Sequence, residues 1–164
     1  MLRGSSYTGG GGGGIGLPAS GVLKQSAVPA SVTGTLSETT LATIAIPAGA
    51  MGANGMLRIT ALWSFTNSAN NKTLKGVLAA SQFMNQVFTT STSIRTQTMI
   101  TNRGAANSQV GHAASAGAFS GSTSAVVTSA IDTTQAQNFT LTGTLANTGE
   151  TITLEGYTVE LLNP

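Results

Sequence analysis

Few side chains of this sequence can do acid–base chemistry: there are five carboxylic acids, one histidine and no cysteine in 164 residues. The acids are Glu38, Asp132, Glu150, Glu155 and Glu160. A glycosidase needs two carboxyl groups about 5 to 9 Å apart at one sugar, and no motif brings two of these acids together. Three of them follow one terminal strand and its turn, where charges commonly protect a sheet edge. The acids therefore do not predict a catalytic pair.

His112 is the only residue that could act as a general base or as an imidazole ligand. A serine triad would also need an acid and a nucleophile elbow of the GxSxG type, which the sequence lacks. A zinc site with one histidine and no cysteine would have to rely on scattered carboxylates. We interpret His112 as a loop or strand-edge residue. The sequence predicts no catalytic residue, no cofactor and no metal site, and hence no enzyme.

A run of six glycines near the start of the sequence matches the phosphate-binding pattern GxGxxG only because a homopolymer matches any glycine pattern. A phosphate loop requires a strand before it and a helix after it, and neither is predicted here. Glycine has the largest backbone entropy and no side chain to bury. We therefore interpret residues 1–30 as an extended anchoring arm that binds a partner, and residues 31–164 as the folded domain. The candidate arm contacts are Gly9, Gly10, Gly11, Gly12, Gly13, Gly14, Ile15, Leu17 and Pro18.

The aromatic residues raise the question of a carbohydrate-stacking surface. Trp63 and Phe65 share the apolar face of an alternating segment, which predicts that they pack in the core. Phe83 and Phe88 lie in a mixed segment and could be interfacial. Phe119 stands in a Gly/Ser/Ala-rich stretch and is the best candidate for an exposed contact with a partner.

Charge is scarce: only 7% of the residues are charged, against about 25% in a typical soluble domain. The seven lysines and arginines are spread along the chain, whereas nucleic-acid binding requires clustered cations, so we predict no nucleic-acid partner. No apolar run approaches the roughly 18 residues of a membrane span. The first residues lack the apolar segment of a secretory signal, which predicts synthesis in a cytoplasm.

The elements that must position these residues are strands. From about Val32 onward apolar residues alternate with polar ones, and no helical segment is convincing. We predict strands over 42–46, 57–65, 72–80, 83–90, 93–101, 125–131, 138–145 and 152–161, with one more short strand around Val110 between long loops. In the last strand the apolar parity switches across Glu155 and Gly156, which predicts a β-bulge at the glycine. Short strands at this spacing are typical of an antiparallel all-β sandwich, and we predict a jelly roll.

The same segments carry a resemblance to a known class of proteins. The chain resembles the small virion structural proteins of tailed bacteriophages, which have a Gly-rich N-terminal arm and a β-sandwich body. The resemblance covers about residues 32–162, and its motifs are strand and turn signatures. The segments that carry it are Ser37–Gly49, Gly55–Ile59, Trp63–Ser68, Asn71–Leu74, Thr151–Glu155 and Tyr157–Leu161.

This resemblance implies a jelly-roll protein that assembles on the virion as a homotrimer, with other virion proteins as partners. As a capsid decoration (cement) or head-fibre protein, it would run its arm over neighbouring capsid subunits. The alternative is a tail or fibre receptor-binding module that recognises a host-surface glycan through distal loops such as Gly104–Ser124. The short body and the lack of a shaft repeat favour the decoration or head-fibre role.

Overall fold

The computed structural model describes residues 19–164. The predicted arm contacts Gly9 to Gly14, Ile15, Leu17 and Pro18 lie outside the described residues. The strands are β1 (Gly21–Ser26), β2 (Ala30–Thr33), β3 (Thr39–Ile46), β4 (Met56–Phe65), β5 (Lys72–Leu78), β6 (Ser81–Phe88), β7 (Ser93–Asn102), β8 (Gln109–Gly111), β9 (Val127–Ser129), β10 (Gln137–Leu145) and β11 (Thr151–Leu162). No helix among the described residues is long and apolar enough to cross a membrane.

The strands form two antiparallel sheets. The large sheet has the order β1–β11–β4–β7–β8–β9, and β2 pairs with β11 beyond the end of β1. The small sheet has the order β3–β10–β5–β6. Buried apolar residues from both sheets form one core cluster. The prediction of an all-β, sandwich-like fold built from antiparallel strands is confirmed.

The central strand β4 shows how alternation of residue types decides which face is buried. Its odd-numbered residues from Leu57 to Phe65 are at most 9% exposed, and Trp63 is fully buried. The indole Nε1 of Trp63 donates a hydrogen bond to Oγ1 of Thr96 on β7 at 3.0 Å, so its polar atom is satisfied inside the core. The predicted core positions of Trp63 and Phe65 are confirmed.

Two other aromatic residues join the sheets from the side of β6. The ring of Phe88 stacks on that of Phe65 in β4, with centroids 5.8 Å apart. Phe83 is 3% exposed, and a Cβ added to Gly111 of β8 would lie 2.6 Å from its ring. Phe83 is therefore a core residue, and the interfacial position that the sequence left open for it is wrong.

The last strand contains the predicted irregularity. In its pairing with β4, Leu154 lies opposite Trp63 and Gly156 lies opposite Leu62, so Glu155 is the extra residue of a β-bulge. A side chain at Gly156 would meet the backbone oxygen of Ser26 at 2.9 Å. The glycine thus lets β1 pass close to the bulge, and the parity switch in the sequence is explained.

The first described strand lies inside the segment that the sequence assigned to the arm. β1 pairs with β11 from Gly21 opposite Leu161 to Ser26 opposite Tyr157. Most of its side chains are exposed. The reason is that β1 is the edge strand at one end of the sheet, where little protein covers either of its faces. This weak alternation is why the sequence predicted no strand there.

Candidate partner-binding surfaces

The carboxylic acids, which could have formed a catalytic pair, are each engaged locally. Arg58 on β4 donates to both carboxylate oxygens of Glu160 on β11, at 2.7 and 2.9 Å. The hydrogen bonds from Arg58 hold the pKa of Glu160 below its usual value. On the small sheet, Lys75 donates to Glu38 at 2.5 Å and, with Thr142, lowers the pKa of Glu38.

The remaining acids lie at turns and at the bulge. Asp132 accepts hydrogen bonds from the backbone and hydroxyl of Thr134, which lower its pKa. Glu150 accepts a hydrogen bond from the Asn70 amide at 2.7 Å, the main cause of its lowered pKa. Glu155 accepts a hydrogen bond from the hydroxyl of Ser64.

The pKa values of these acids bear on whether any of them could act as a general acid. A general acid that works near neutral pH needs a raised pKa. Glu38, Asp132, Glu150 and Glu160 instead have lowered pKa values, so they are ionised near pH 7. These carboxylates take part in ion pairs and turn hydrogen bonds, and none is in the protonated form that a general acid needs near pH 7.

His112 directly follows β8 and is exposed. It borders a small cavity of about 70 Å³, whose other lining residues are mainly apolar and amide side chains from β6, β7 and the loop after β8. No group of three or more histidine, cysteine, aspartate or glutamate side chains within residues 19–164 is arranged to hold a metal ion.

The loop between β8 and β9 carries the candidate contact Phe119, whose side chain is 92% exposed. The first half of this loop lies against the small sheet. The backbone N–H of Asn85 donates to the carbonyl oxygen of Ala114 at 2.7 Å. The side-chain amide of Gln86 donates to the backbone carbonyl oxygen of Ala116 at 2.5 Å. Phe119 therefore projects from a loop whose neighbouring residues are fixed to β6.

The base of the same loop is held by a buried amide network. Gln109 donates to Asn102 at 2.8 Å, and Asn102 donates to the carbonyl of Gly52 at 2.9 Å and to Thr133 at 3.1 Å. The carbonyl oxygen of the Gln109 side chain accepts from Ser129 and from the backbone of Ile131. Because these groups satisfy one another, the network fixes the loop ends without charge.

A second candidate surface lies on the outer face of the large sheet. A shallow concavity of about 380 Å³ there is bordered by residues of β1, β4, β7 and β11. Leu62, Arg95 and Gly156 lie side by side across β4, β7 and β11, and the turn from Ser26 to Ala27 forms one rim. The exposed apolar residues Leu62, Met99 and Val22 lie in register with Arg95, Arg58 and Glu160 respectively, and so on this face or its edge.

Sequence reasoning did not identify this second surface, although one signal for it was visible. Leu62 is the apolar exception among the polar positions of β4, and it is 43% exposed. The rest of the surface depends on the register of β4, β7 and β11, which come from distant parts of the chain.

Comparison with known proteins adds no relative to this picture: no family model, no curated protein and no solved structure matches the chain.

Proposed function

We propose that this chain is a non-enzymatic structural protein of a bacteriophage virion, a capsid decoration (cement) or head-fibre protein. In this role it stabilises the shell through contacts of its arm and its β-sandwich body with neighbouring subunits, and its body forms a homotrimer. The arm contacts are Gly9 to Gly14, Ile15, Leu17 and Pro18. The basis of the class assignment is the sequence resemblance to small phage virion proteins.

We further propose that the body is a jelly roll. The strand orders β1–β11–β4–β7 and β3–β10–β5–β6 support this proposal. Along the chain, β3, β5, β6 and β10 belong to the small sheet, while β1, β2, β4, β7 and β11 belong to the large one. Such repeated crossing between two antiparallel sheets is what two interlocked Greek keys require.

The observation that carries the structural role is the character of the body surface. Large apolar side chains are exposed on a chain with only 7% charged residues, and three ion pairs neutralise part of that charge. Burying such a surface against another protein removes little charge from water, so the desolvation cost is small. The exposed residues are Val22, Val28, Leu36, Leu62, Val87, Met99, Phe119 and Val126.

Deletion of residues 1–18 tests the arm's part in this role. The truncated chain should fold, since β1 begins at Gly21, but should no longer cosediment with purified capsids that lack the protein. Circular dichroism supplies the folding control. Cosedimentation of the folded, truncated chain at the level of the full chain would contradict anchoring by the arm.

The second candidate function is recognition of a host-surface glycan by the loop between β8 and β9. The specific observation that favours it is the 92% exposure of Phe119, because an exposed aromatic ring held on an anchored loop can stack on the apolar face of a sugar.

Binding of the isolated protein to host cells tests this candidate. Phe119→Ala should abolish binding, whereas Val28→Ala, a change at an exposed apolar residue in the turn between β1 and β2 (77% exposed), should not. Equal binding by both variants and the parent chain would exclude a role for Phe119.

A further inference from the structure

We infer that the outer face of the large sheet is a self-association surface, on which Arg95 of one copy pairs with Glu155 of a second copy around Leu62. The occupant of this face is thus another copy of the same chain. The inference deepens the proposed function and rests on it only for the expectation of three copies. Its experiment measures association in solution, independently of capsid binding.

The geometry begins with the position of Leu62. It points outward from β4 between two neighbours, with Arg95 of β7 opposite it on one side and Gly156 of β11 on the other. Since Gly156 has no side chain, Leu62 borders the concavity of about 380 Å³ and is 43% exposed. Leu62 can therefore pack against another protein surface, and the concavity beside it can accept a side chain from that surface.

Charge supplies the second step. Arg58 and Glu160 on the same face neutralise each other within the chain, with Nε and Oε2 2.7 Å apart. Within residues 19–164, Arg95 is in none of the ion pairs, and Glu155 bonds to the neutral hydroxyl of Ser64 without a cation. The outer face therefore carries a cation, Arg95, and a carboxylate, Glu155, that have no partner of opposite charge in the described part of the chain.

These two charges lie on strands that are not neighbours and form no ion pair with each other in the described part of the chain. Arg95 lies on β7 and Glu155 on β11, with β4 between them, so their backbones are about 10 Å apart, two strand spacings. A second copy can bring its own carboxylate to Arg95 and its own cation to Glu155. In a two-fold contact, both Arg95–Glu155 pairs form between the same two copies. In a head-to-tail ring, each interface contains one such pair.

The composition of the face fits this occupant better than a charged partner. Leu62 lies between the two charges, and Thr60 and Thr158, two residues farther along β4 and β11, border the same concavity. A partner with a strongly charged surface would leave either Arg95 or Glu155 facing a like charge. Copies of the same face match both charges, in a two-fold contact or around a ring, which is charge complementarity with an apolar centre.

The test is the oligomeric state of the full chain by sedimentation velocity and light scattering, with charge reversals. The parent chain should show a mass at least twice that of one chain, 16.4 kDa. Arg95→Glu and Glu155→Arg should each weaken association by at least about tenfold, because each places like charges together. The double variant Arg95→Glu/Glu155→Arg should restore it. Arg103→Glu, at an exposed arginine that also lacks an ion pair, is the matched control and should have no effect.

A cross-link provides a readout that does not depend on charge reversal at the bulge. Arg95→Lys keeps the cation and supplies a primary amine, so a carbodiimide should join position 95 to Glu155 with loss of one water. Mixing isotope-labelled and unlabelled chains separates links between chains from links within one chain. A monomeric parent chain, unchanged association of the folded single variants, or links only within chains would each overturn the inference and leave the arm-deletion result on capsids unaffected.

Discussion

The ammonium group of Lys72 is fully buried at the start of β5. Four oxygen atoms lie 2.6 to 3.2 Å from its Nζ and share its three N–H donors: the carbonyl oxygens of Ser68, Asn70 and Thr89 and the hydroxyl of Ser68. The carboxylate of Glu150 lies 3.5 Å away. A buried cation is tolerated only when oxygen atoms replace its water, so Lys72 ties the turn before β5 to the residues after β6.

The carboxylate of Glu150 in this cluster predicts that the free energy of unfolding depends on pH in the acid range. Because the pKa of Glu150 is lowered in the folded chain, its contribution is complete above the usual carboxyl pKa and is lost as the pH falls through the folded value. Asn70→Ala removes the largest cause of the shift. We expect it to lower the urea midpoint at about pH 7 and to have less effect at about pH 3.

Asn67→Ala is the control for this pH comparison, since Asn67 is an exposed amide in the same turn. It should leave the midpoints at both pH values unchanged. An Asn70→Ala effect of equal size at the two pH values would mean that the amide acts through packing and not through the pKa of Glu150.

A second residue-scale prediction concerns the turn between β5 and β6. Ala79 has a φ of 49°, in the left-handed region that costs an L-residue about 1–2 kcal/mol. Ala79→Gly removes this strain, while the greater flexibility of glycine in the unfolded chain offsets part of the gain. We expect an increase of about 0.5–1 kcal/mol in the free energy of unfolding. Ala80→Gly, next to it and not at positive φ, should lower that free energy or leave it unchanged.

At the scale of elements, the bulge in β11 decides how the large sheet is assembled. β11 pairs with β4 on one side and with β1 and β2 on the other. The extra residue at Glu155 returns Tyr157, Val159 and Leu161 to the inward parity. Gly156 meanwhile leaves room for the backbone at Ser26. The bulge thus restores the core-facing positions of β11, leaves room for the edge strand β1 and borders the outer concavity.

Gly156→Ala tests the close approach of β1. The added Cβ would lie 2.9 Å from the carbonyl oxygen of Ser26, so the two backbones must separate. We expect a loss of about 1–3 kcal/mol in the free energy of unfolding. Gly21→Ala is the matched control in β1, because nothing lies within 4 Å of the Cβ that it adds. Equal losses for the two variants would show that the approach at Ser26 imposes no constraint.

At the scale of the whole molecule, the folded body begins within the segment that composition assigned to the arm. The hydroxyl of Ser20 both donates to the Asn163 carbonyl, at 2.9 Å, and accepts from its backbone N–H, at 2.8 Å. β1 then covers β11 from Leu161 to Tyr157. The large sheet therefore begins about ten residues earlier than the boundary at residue 31 that composition suggested.

Two truncations separate the arm from the body. Removal of residues 1–18 should leave the Tm unchanged, because the pairing of β1 with β11 is kept. Removal of residues 1–29 deletes β1 and uncovers the edge of β11, and should lower the Tm by roughly 5 °C. Thermal unfolding followed by circular dichroism measures both. The same Tm for the two truncated chains would mean that β1 adds nothing to the stability of the body.

Alternation of residue types, a local property, determined most of the strands from β3 onward and which side of each is buried, but not β1, where alternation is weak. That is why the sequence predicted β4 with Trp63 and Phe65 in the core and the bulge at Gly156. Phe119 was also open to prediction, because a Gly/Ser/Ala-rich stretch offers no core in which to bury it. Such properties need only the residues within a few positions of one another.

Only the tertiary structure decided which strands are neighbours. The pairing of β1 with β11, the approach of Glu150 to Lys72 and the row formed by Arg95, Leu62 and Gly156 all join segments far apart in sequence. Strand order and register are set by how two whole sheets close around one core, and a shift of one residue would turn each side chain to the other face. The outer surface of the large sheet is a product of that closure.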